Sequence, residues 1–384
     1  MSSLFPTYDS WQIEPDVAKG SWLTSKDGTK YLDYTSGIGV LNLGHCNETV
    51  KTAVEKQLAA FWHTSNMFEN SKQEKTASLI TNASGLGHVF FCNSGAEANE
   101  AAIKLARKAT GKNKLITCTQ SFHGRTFATM AATGQEKVKV GFGKMLEEFA
   151  YIPFNDVAAL VNSVDANTAA IMIEIVQGEG GIHKIEQEFL DAIKTASEKF
   201  GILVIIDEIQ TGIGRTGKPF AFQHYQIEPD IITIAKGLGN GLPIGAMVGK
   251  KELAKHFGPG SHGSTFGGNP VSIAAAEATL QVVFEDDFLL EVIEKGNYLI
   301  NQLHENLKDI EIVKEIRGMG LMIGIELVNA GQPILLELQK QGILVLTAGP
   351  NVIRLLPPLT TNKTELDLCI EKITKVIASK QPVS

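Results

Sequence analysis

Short apolar runs alternate with helical segments along much of the chain, and this alternation constrains the fold more than any other feature. The runs are continuous rather than alternately polar and apolar, which is typical of strands buried on both faces of a parallel sheet. The predicted strands are 88–92, 115–118, 169–176, 202–206 and 231–235, and the predicted helices between them include 94–109 and 189–200. This order predicts an α/β fold with a doubly wound, mostly parallel sheet, in which ligands lie at the carboxyl ends of the strands.

The pattern changes near residue 273, where the strand–helix alternation ends. Beyond it we expect helices over 273–308, a hairpin over 312–327 around Gly318 and Gly320, a strand over 352–356 and a last helix over 366–377. The chain is therefore predicted to form a large domain over 46–272 and a small α+β domain over 273–384. The N-terminal segment, 1–45, has a hairpin turn at 26–29 and is expected to pack with the small domain.

The charge balance and the cysteines limit the class of protein. The 384 residues carry 35 basic and 42 acidic side chains, a formal net charge of −7, which argues against general binding to nucleic acids or anionic membranes. Anionic substrates remain possible, because local arginines recognise them. The four cysteines form no CxxC pair, so reduced thiols in a cytoplasmic protein are expected. Neither a signal peptide nor an apolar run of about 18 residues is visible.

The strongest catalytic candidate is Lys236, which follows the apolar run 231–235 and precedes a glycine-rich turn. Burial at a strand exit lowers the pKa of a lysine and makes its amine a nucleophile or a Schiff-base former. The alternative is a surface lysine that begins a loop. Asp207 ends the neighbouring run, so both side chains are expected in one crevice. On its own, Asp207 is also typical of a helix cap.

A predicted helix N-terminus at Ser94, Gly95 and Ala96 offers backbone N–H groups to a phosphate. Ser94 and Glu97 have capping-box spacing, so an ordinary capped helix is the alternative. The glycine loops do not fit the GxGxxG pattern that opens a helix, which disfavours a nicotinamide site. An amine, an anion site and a carboxylate suit pyridoxal 5'-phosphate (PLP), and Phe122 is a candidate to cover its ring or a simple core aromatic. No spacing indicates a metal site.

The motifs that carry a family resemblance follow one another in order along the chain. They are NSGAEANE at 93–100, FHGRT within 121–126, QGEGG at 177–181, DEIQTG at 207–212, GRTG at 214–217, AKGL at 235–238, HGSTFGGNP at 262–270, the segment 317–327 and NVIRLLPPL at 351–359. From about residue 5 to 380 the chain resembles a class III aminotransferase. The resemblance implies PLP fold type I, with a mostly parallel seven-stranded sheet in the large domain and a small α+β domain. Ile175 departs from the proline usual in the family.

The resemblance also implies roles at the cofactor. It assigns the cofactor contacts to Ser94, Gly95, Ala96, Phe122, Asp207, Gln210, Lys236 and Thr265. In this scheme Lys236 and Asp207 are catalytic. The amine of Lys236 forms a Schiff base with the cofactor aldehyde and then transfers the proton, and Asp207 pairs with the ring nitrogen. Gln210 contacts the ring hydroxyl. Thr265, with Ser264 beside it, is expected to reach the site of a partner subunit, so the resemblance implies a homodimer with shared sites.

The implied substrate contacts are Arg125, Glu179, Ser264 and Arg354. Arg354 is expected to bind the α-carboxylate of glutamate or 2-oxoglutarate, and Glu179, on a flexible loop, to mask Arg354 when the other donor is bound. Arg125 is expected to bind a substrate carboxylate. A packed or solvated arginine is the alternative for Arg354, and a turn residue is the alternative for Glu179.

The implied substrates are N-acetylornithine and 2-oxoglutarate, in arginine synthesis. Ornithine transaminases carry a tyrosine where this chain has Ile38, and an apolar residue suits an acylated α-amine, because an unpaired buried polar group costs about 1–3 kcal/mol. The alternatives are succinylornithine, succinyldiaminopimelate, ornithine or 4-aminobutyrate as donor. A PLP-binding sensor or structural dimer without turnover is a third possibility.

Overall fold

The computed structural model describes residues 3–380. Its strands are β1 Pro15–Lys19, β2 Trp22–Ser25, β3 Lys30–Asp33, β4 His88–Cys92, β5 Lys114–Cys118, β6 Phe149–Ile152, β7 Thr168–Ile173, β8 Val176–Gln177, β9 His183–Lys184, β10 Leu203–Asp207, β11 Ile231–Ile234, β12 Gly245–Gly249, β13 Val313–Met319, β14 Met322–Leu327, β15 Ile343–Leu344, β16 Leu346–Ala348 and β17 Val352–Leu355. Its α-helices are α1 Ser36–Gly39, α2 Glu48–Leu58, α3 Ser71–Ser84, α4 Gly95–Thr110, α5 Phe127–Ala132, α6 Val157–Ser163, α7 Gln187–Phe200, α8 Pro270–Val283, α9 Asp286–Leu307, α10 Gln332–Lys340 and α11 Lys363–Ala378. Short 3₁₀ turns cover Glu136–Val138, Ala221–His224, Lys236–Gly239 and Lys251–His256.

A seven-stranded sheet in the order β4-β12-β11-β10-β7-β5-β6 forms the centre of the molecule. Only β12 runs antiparallel to its neighbours β4 and β11, so the predicted mostly parallel sheet is confirmed. Every residue of β7, β11 and β12 is buried, and the continuous apolar runs of β7 and β11 indicated this for those two strands. The sequence pattern missed β12, because Gly245 and Gly249 weaken its strand signal. Gly245 is needed there, since a Cβ would lie 2.4 Å from the Ser94 carbonyl oxygen.

Two predicted elements were partly wrong. The strand predicted over 169–176 ends at Ile173, and Val176–Gln177 pairs instead with His183–Lys184 as a two-stranded ribbon. The break lies at Glu174, whose carboxyl group accepts hydrogen bonds from the N–H groups of Phe122 and Gly178, each at 3.3 Å. The helix predicted over 189–200 corresponds to α7, and its apolar residues Phe189, Ile193, Ala196 and Phe200 were expected on one buried face. Phe200 is instead 37% exposed, because it lies in the last turn, beside Gly201.

The C-terminal part forms a second sheet, antiparallel, in the order β13-β14-β17-β16. The predicted hairpin is β13–β14, with Gly320 in its turn at φ 55°. A third sheet combines both ends of the chain, because β15 pairs in parallel with β3 of the N-terminal hairpin. The predicted domain boundary at 272/273 falls inside α8, which packs on α2 and α3, whereas α9 packs on α11 and β13. The division into domains stays a prediction.

Across residues 3–380, no helix combines the length and the hydropathy that a membrane span needs.

Candidate active site

A cavity of about 500 Å³ opens at the carboxyl ends of the central strands, a size typical of small-molecule sites. The predicted site residues on its wall are Ser94, Gly95, Ala96, Phe122, Arg125, Glu179, Asp207, Gln210 and Lys236. Arg354 contacts this wall from behind through Glu179 and Gln210. Residues spread over 143 positions of the sequence, from 94 to 236, therefore meet at one point.

Lys236 comes directly after β11 and begins a 3₁₀ turn. Its φ of 39° lies in the left-handed region, which costs a non-glycine residue about 1–2 kcal/mol. The turn thereby directs the side chain into the cavity, where burial lowers the pKa of its amine to about 8. Roughly a tenth of the amine is then neutral at pH 7, far more than for an ordinary lysine. The prediction of a poorly solvated lysine at a strand exit is confirmed.

Asp207 ends β10 and is 4% exposed. Its Oδ2 accepts a hydrogen bond from Asn99 Nδ2 at 2.9 Å and pairs with His123 Nδ1 at 2.7 Å, and its Oδ1 accepts from the N–H of Ile209 at 3.0 Å. Burial disfavours a charged His123, but the hydrogen bond and charge of Asp207 outweigh it and raise the pKa of the imidazole. The carboxylate is therefore fixed from three directions.

Asn99 and His123 were not among the predicted site residues. Each lies inside a recognised motif, next to residues that were predicted, so the motif itself was the only available signal. Their contacts with Asp207 join residues 108 and 84 positions apart. Sequence spacing cannot predict contacts between residues so far apart.

The N-terminus of α4 faces the cavity through Gly95 and Ala96. Ser94 Oγ caps the helix by accepting from the N–H of Glu97 at 3.2 Å. The capping box is incomplete, however, because Glu97 Oε2 accepts from the N–H of Asn93 at 2.7 Å instead of returning to Ser94. The first N–H groups of a helix lack partners within it, and the helix dipole favours an anion there. A Cβ at Gly95 would lie 2.7 Å from Ile209 Cδ1, so a larger residue here would require the Ile209 side chain to shift.

Phe122 is half-buried on the cavity wall, so it is not a core aromatic. The exposed Arg125 guanidinium lies 5.7 Å from the centre of its ring. This cation–π contact leaves the charge of Arg125 available at the cavity mouth.

Arg354 projects from β17 and is 2% exposed. Its Nη1 donates to Glu179 Oε1 at 2.6 Å, to the Gly178 carbonyl at 2.8 Å and to Gln210 Oε1 at 3.1 Å. Burial opposes the ionised form of Glu179, but the charges of Arg354 and Lys236 outweigh it and lower the pKa of this carboxyl group. Glu179 thus covers Arg354 as a charged partner.

The loop that carries Glu179 is packed rather than flexible, contrary to the expectation from the sequence. A Cβ at Gly178 would lie 2.2 Å from Gln210 Oε1, and one at Gly180 would lie 2.9 Å from the Gln120 carbonyl oxygen. The glycines are present because other chain segments press against them. The Glu179 side chain, by contrast, is 32% exposed and has space to move.

Glu174 also lines the cavity and was not predicted as a site residue. Burial raises the pKa of its carboxyl group to about 7. Its position after β7 is the third strand end at this edge of the sheet, beside those that carry Asp207 and Lys236.

The segment of Ser264 and Thr265 lies at the rim. Ser264 Oγ accepts from Asn93 Nδ2 at 3.1 Å and from the N–H of Gly267 at 2.9 Å, whereas Thr265 is exposed and is not on the wall of this cavity. Ile38 is 46% exposed and also lies off the wall. The roles predicted for Ser264, Thr265 and Ile38 stay predictions.

The donor set fits PLP. An amine of lowered pKa, a helix N-terminus, a fixed carboxylate and an aromatic face lie on one cavity wall. These are the groups needed by an aldehyde, a phosphate, a ring nitrogen and a ring face. Lys236, the start of α4, Asp207 and Phe122 are the residues that would hold the cofactor.

The chain is similar in sequence to enzymes of one family. The sequence model of the family described as Aminotransferase class-III matches residues 6–377. The acetylornithine aminotransferase of Bacillus subtilis (strain 168) is 56% identical over 385 residues, covering 100% of both chains. That of Halalkalibacterium halodurans is 58% identical over 377 residues, covering 98% of both.

Solved structures share the same fold. The ornithine aminotransferase from Toxoplasma gondii ME49 superposes with a TM-score of 0.94 at 30% identity, over 98% of this chain and 93% of that one. A second structure of that parasite's enzyme, described as having PLP at partial occupancy in its active site, gives 0.93 at 30% identity, over 98% and 92%. The N-acetylornithine aminotransferase from Stenotrophomonas maltophilia K279a gives 0.84 at 33% identity, over 97% of both chains. The predicted fold type I is confirmed.

Proposed function

Because this chain belongs to the class III aminotransferases, we propose that it transfers the terminal amino group of N-acetylornithine to 2-oxoglutarate, in arginine synthesis. The products are N-acetylglutamate 5-semialdehyde and glutamate. The family uses PLP, as the resemblance implied. When bound, PLP supplies an aldehyde that takes up the amine and a ring that accepts electrons from the neighbouring carbon.

The sheet-edge residues are proposed to hold the cofactor and move the proton. Lys236 presents an amine with a pKa of about 8, close enough to neutrality both to take up the aldehyde and to carry a proton at Nζ. The carboxylate of Asp207 would pair with the ring nitrogen, and Asn99 and His123 hold this carboxylate through hydrogen bonds. The N–H groups of Gly95 and Ala96, with Ser94, are assigned to the phosphate. Phe122 and Gln210 are assigned to the ring face and the ring hydroxyl.

The observation that carries the proposal is the ion pair between Arg354, behind the cavity wall, and Glu179, which lines the cavity together with Lys236. An enzyme with two alternating donors must bind glutamate through an α-carboxylate and must also accept a donor with a terminal amine. With Glu179 on Arg354, the site suits the terminal amine. With Glu179 displaced, Arg354 can form a bidentate pair with the glutamate carboxylate. Arg125 at the mouth is assigned to the distal carboxylate.

The choice of N-acetylornithine over free ornithine rests on sequence. The acetylornithine aminotransferases are 56% and 58% identical to this chain, whereas the ornithine aminotransferase from Toxoplasma gondii is 30% identical despite its TM-score of 0.94. Backbone similarity therefore does not separate the two activities. Ile38 in place of tyrosine favours an acylated α-amine, and free ornithine is the second candidate.

A homodimer with shared sites is also part of the proposal. Thr265 is exposed and absent from the wall of its own cavity, and the adjacent Phe266 is 59% exposed. An exposed aromatic side chain beside a predicted cofactor contact supports a covering partner subunit.

The test is a half-reaction screen, in which the purified PLP form meets one amino donor at a time and the cofactor absorbance is followed. We expect conversion with N-acetylornithine and with glutamate, and much slower conversion with free ornithine. A clear preference for ornithine would overturn the acetylated substrate while preserving the family. A cofactor that no amino donor converts would favour a sensor or structural role.

A further inference from the structure

Two arginines of the C-terminal sheet hold the two ends of the loop that carries Glu179. Arg354 Nη1 donates to the Gly178 carbonyl at 2.8 Å, immediately before Glu179. Arg317, on β13, donates from Nε and Nη2 to the Gly181 carbonyl at 3.0 and 2.6 Å, two residues after Glu179. The loop is thus tied at both sides to a sheet that is distant in sequence.

Arg317 differs from Arg354 in that two carboxylates, rather than one, pair with its charge. Its Nη1 contacts both Glu315 and Glu326 at 2.6 Å, and the residue is 7% exposed and lies off the cavity wall. His183 Nε2 lies 3.3 Å from Arg317 Nη2 and, as the acceptor, must be neutral; burial and the charge of Arg317 lower the pKa of this imidazole accordingly. Arg317 therefore has no charge to offer a substrate.

The loop backbone has little freedom between these two anchors. Gly181 has φ 117°, and a Cβ there would lie 2.9 Å from His183 Nε2 and 3.4 Å from Arg317 Nη2. The N–H of Ile182 closes the ribbon on the Gln177 carbonyl at 2.9 Å. With Gly178 and Gly180 packed as described above, the space for movement is limited to the Glu179 side chain.

We propose that Arg317 is a positioning residue that fixes the loop backbone. With the backbone fixed, only the Glu179 carboxylate moves between its contact with Arg354 and a displaced position. Arg317 thereby sets the discrimination between the two amino donors. The inference deepens the proposed function and rests on it, since it presumes two donors that share Arg354. A loop without its second anchor would present Glu179 to Arg354 less often. Arg354 would then be uncovered more of the time, to the benefit of glutamate and the detriment of the terminal-amine donor.

The experiment measures both half-reactions of the PLP-loaded enzyme for Arg317→Gln and Arg317→Lys. For Arg317→Gln we expect the ratio of kcat/KM for glutamate to that for N-acetylornithine to rise about tenfold, the size of one lost charge-assisted hydrogen bond. The change should fall in KM rather than in kcat, because the groups at the cofactor are untouched. Arg317→Lys keeps a cation and one donor nitrogen, so its ratio should lie between those of Arg317→Gln and the wild type.

Two controls separate positioning from general stability. Lys314→Gln removes a positive charge from the exposed side of the same strand, where Lys314 lies 3.8 Å from Glu326, and should leave the ratio unchanged. In a Glu179→Ala background, Arg317→Gln should add nothing to the ratio, because the group that it positions is gone. A further rise in that background would overturn the inference.

Equal losses in both half-reactions, or a lower melting temperature with an unchanged ratio, would reduce Arg317 to a structural role and overturn the proposal. If Arg317→Gln does not fold, the ratio in Arg317→Lys decides. Failure of the proposed function appears instead in the wild type, as poor conversion of N-acetylornithine. The ratio is then measured with the terminal-amine donor that the wild type prefers, and KM for glutamate in Arg317→Gln must still fall.

Discussion

Glu174 and Glu179 lie five residues apart and line the same cavity, yet their pKa values move in opposite directions. Burial raises the pKa of Glu174 to about 7, because the nearby His123 only partly offsets it. Burial acts on Glu179 as well, but Arg354 and Lys236 outweigh it and lower the pKa. The difference is a cation at hydrogen-bonding distance, 2.6 Å in the case of Glu179.

The two glutamates represent two halves of the site. At the sheet edge, burial dominates and moves the pKa values of Lys236 and Glu174 toward neutral pH, to about 8 and about 7. Such values suit groups that exchange protons. At the arginine end, charge dominates and keeps Glu179 ionised, which suits a group that exchanges with a substrate carboxylate. Changes in the first half should therefore affect both half-reactions alike, and changes in the second half should affect them unequally.

The largest effect is expected for Lys236→Ala. Losing the amine should slow both half-reactions by at least about a thousandfold, because the nucleophile and the proton carrier are one group. PLP should remain bound only non-covalently, so borohydride should no longer fix it to the chain. Lys218→Ala, on the exposed surface, is the control. Retained activity, or a loss confined to one donor, would contradict the expectation that changes at the sheet edge affect both half-reactions alike.

An intermediate and unequal effect is expected for Glu179→Ala. Arg354 would stay uncovered, so the ratio of kcat/KM for glutamate to that for N-acetylornithine should rise about tenfold. Single-turnover absorbance with each donor gives the ratio, and the exposed Glu188→Ala serves as the control. A ratio equal to that of the wild type would remove Glu179 from its proposed role.

The smallest effect, on stability alone, is expected for Glu174→Gln in the cofactor-free protein. The unfolded chain releases the Glu174 proton near pH 4.5 and the folded chain near 7, so folding retains the proton between these values. The contribution of Glu174 to the free energy of unfolding therefore falls as pH rises through this window. Glutamine resembles the protonated carboxyl group and removes this dependence. Urea unfolding should show the variant gaining stability relative to the wild type between pH 5 and 7.5, and parallel curves would contradict the raised pKa.

Much of the sheet-edge half could be predicted because its signals are local. A continuous apolar run marks a buried strand, and the residue after it must lie at the ligand edge of a parallel sheet. That argument placed Asp207 and Lys236 correctly. It failed at Glu174, where the apolar run continues through Ile175 and Val176 although the strand ends at Ile173.

The arginine half was accessible only through the family resemblance, because its contacts are long-range. Arg354 and Glu179 are 175 positions apart, and Arg317 and Gly181 are 136 apart. No periodicity relates such residues. The packed state of the glycine loop was predicted wrongly for the same reason, since glycines in a sequence indicate freedom and the neighbours that remove it come from elsewhere in the chain.

The sequence by itself determined much of the order of strands and helices, the helix start at Ser94, and the positions of Asp207 and Lys236 at neighbouring strand ends. Hydrophobic period and turn chemistry determine these features because they act over a few residues. The tertiary structure decided which charges meet. Burial without a cation at hydrogen-bonding distance raised the pKa of Glu174 to about 7, whereas Arg354 kept Glu179 ionised. Solvent exclusion and the distance between charges arise only when separate segments pack together.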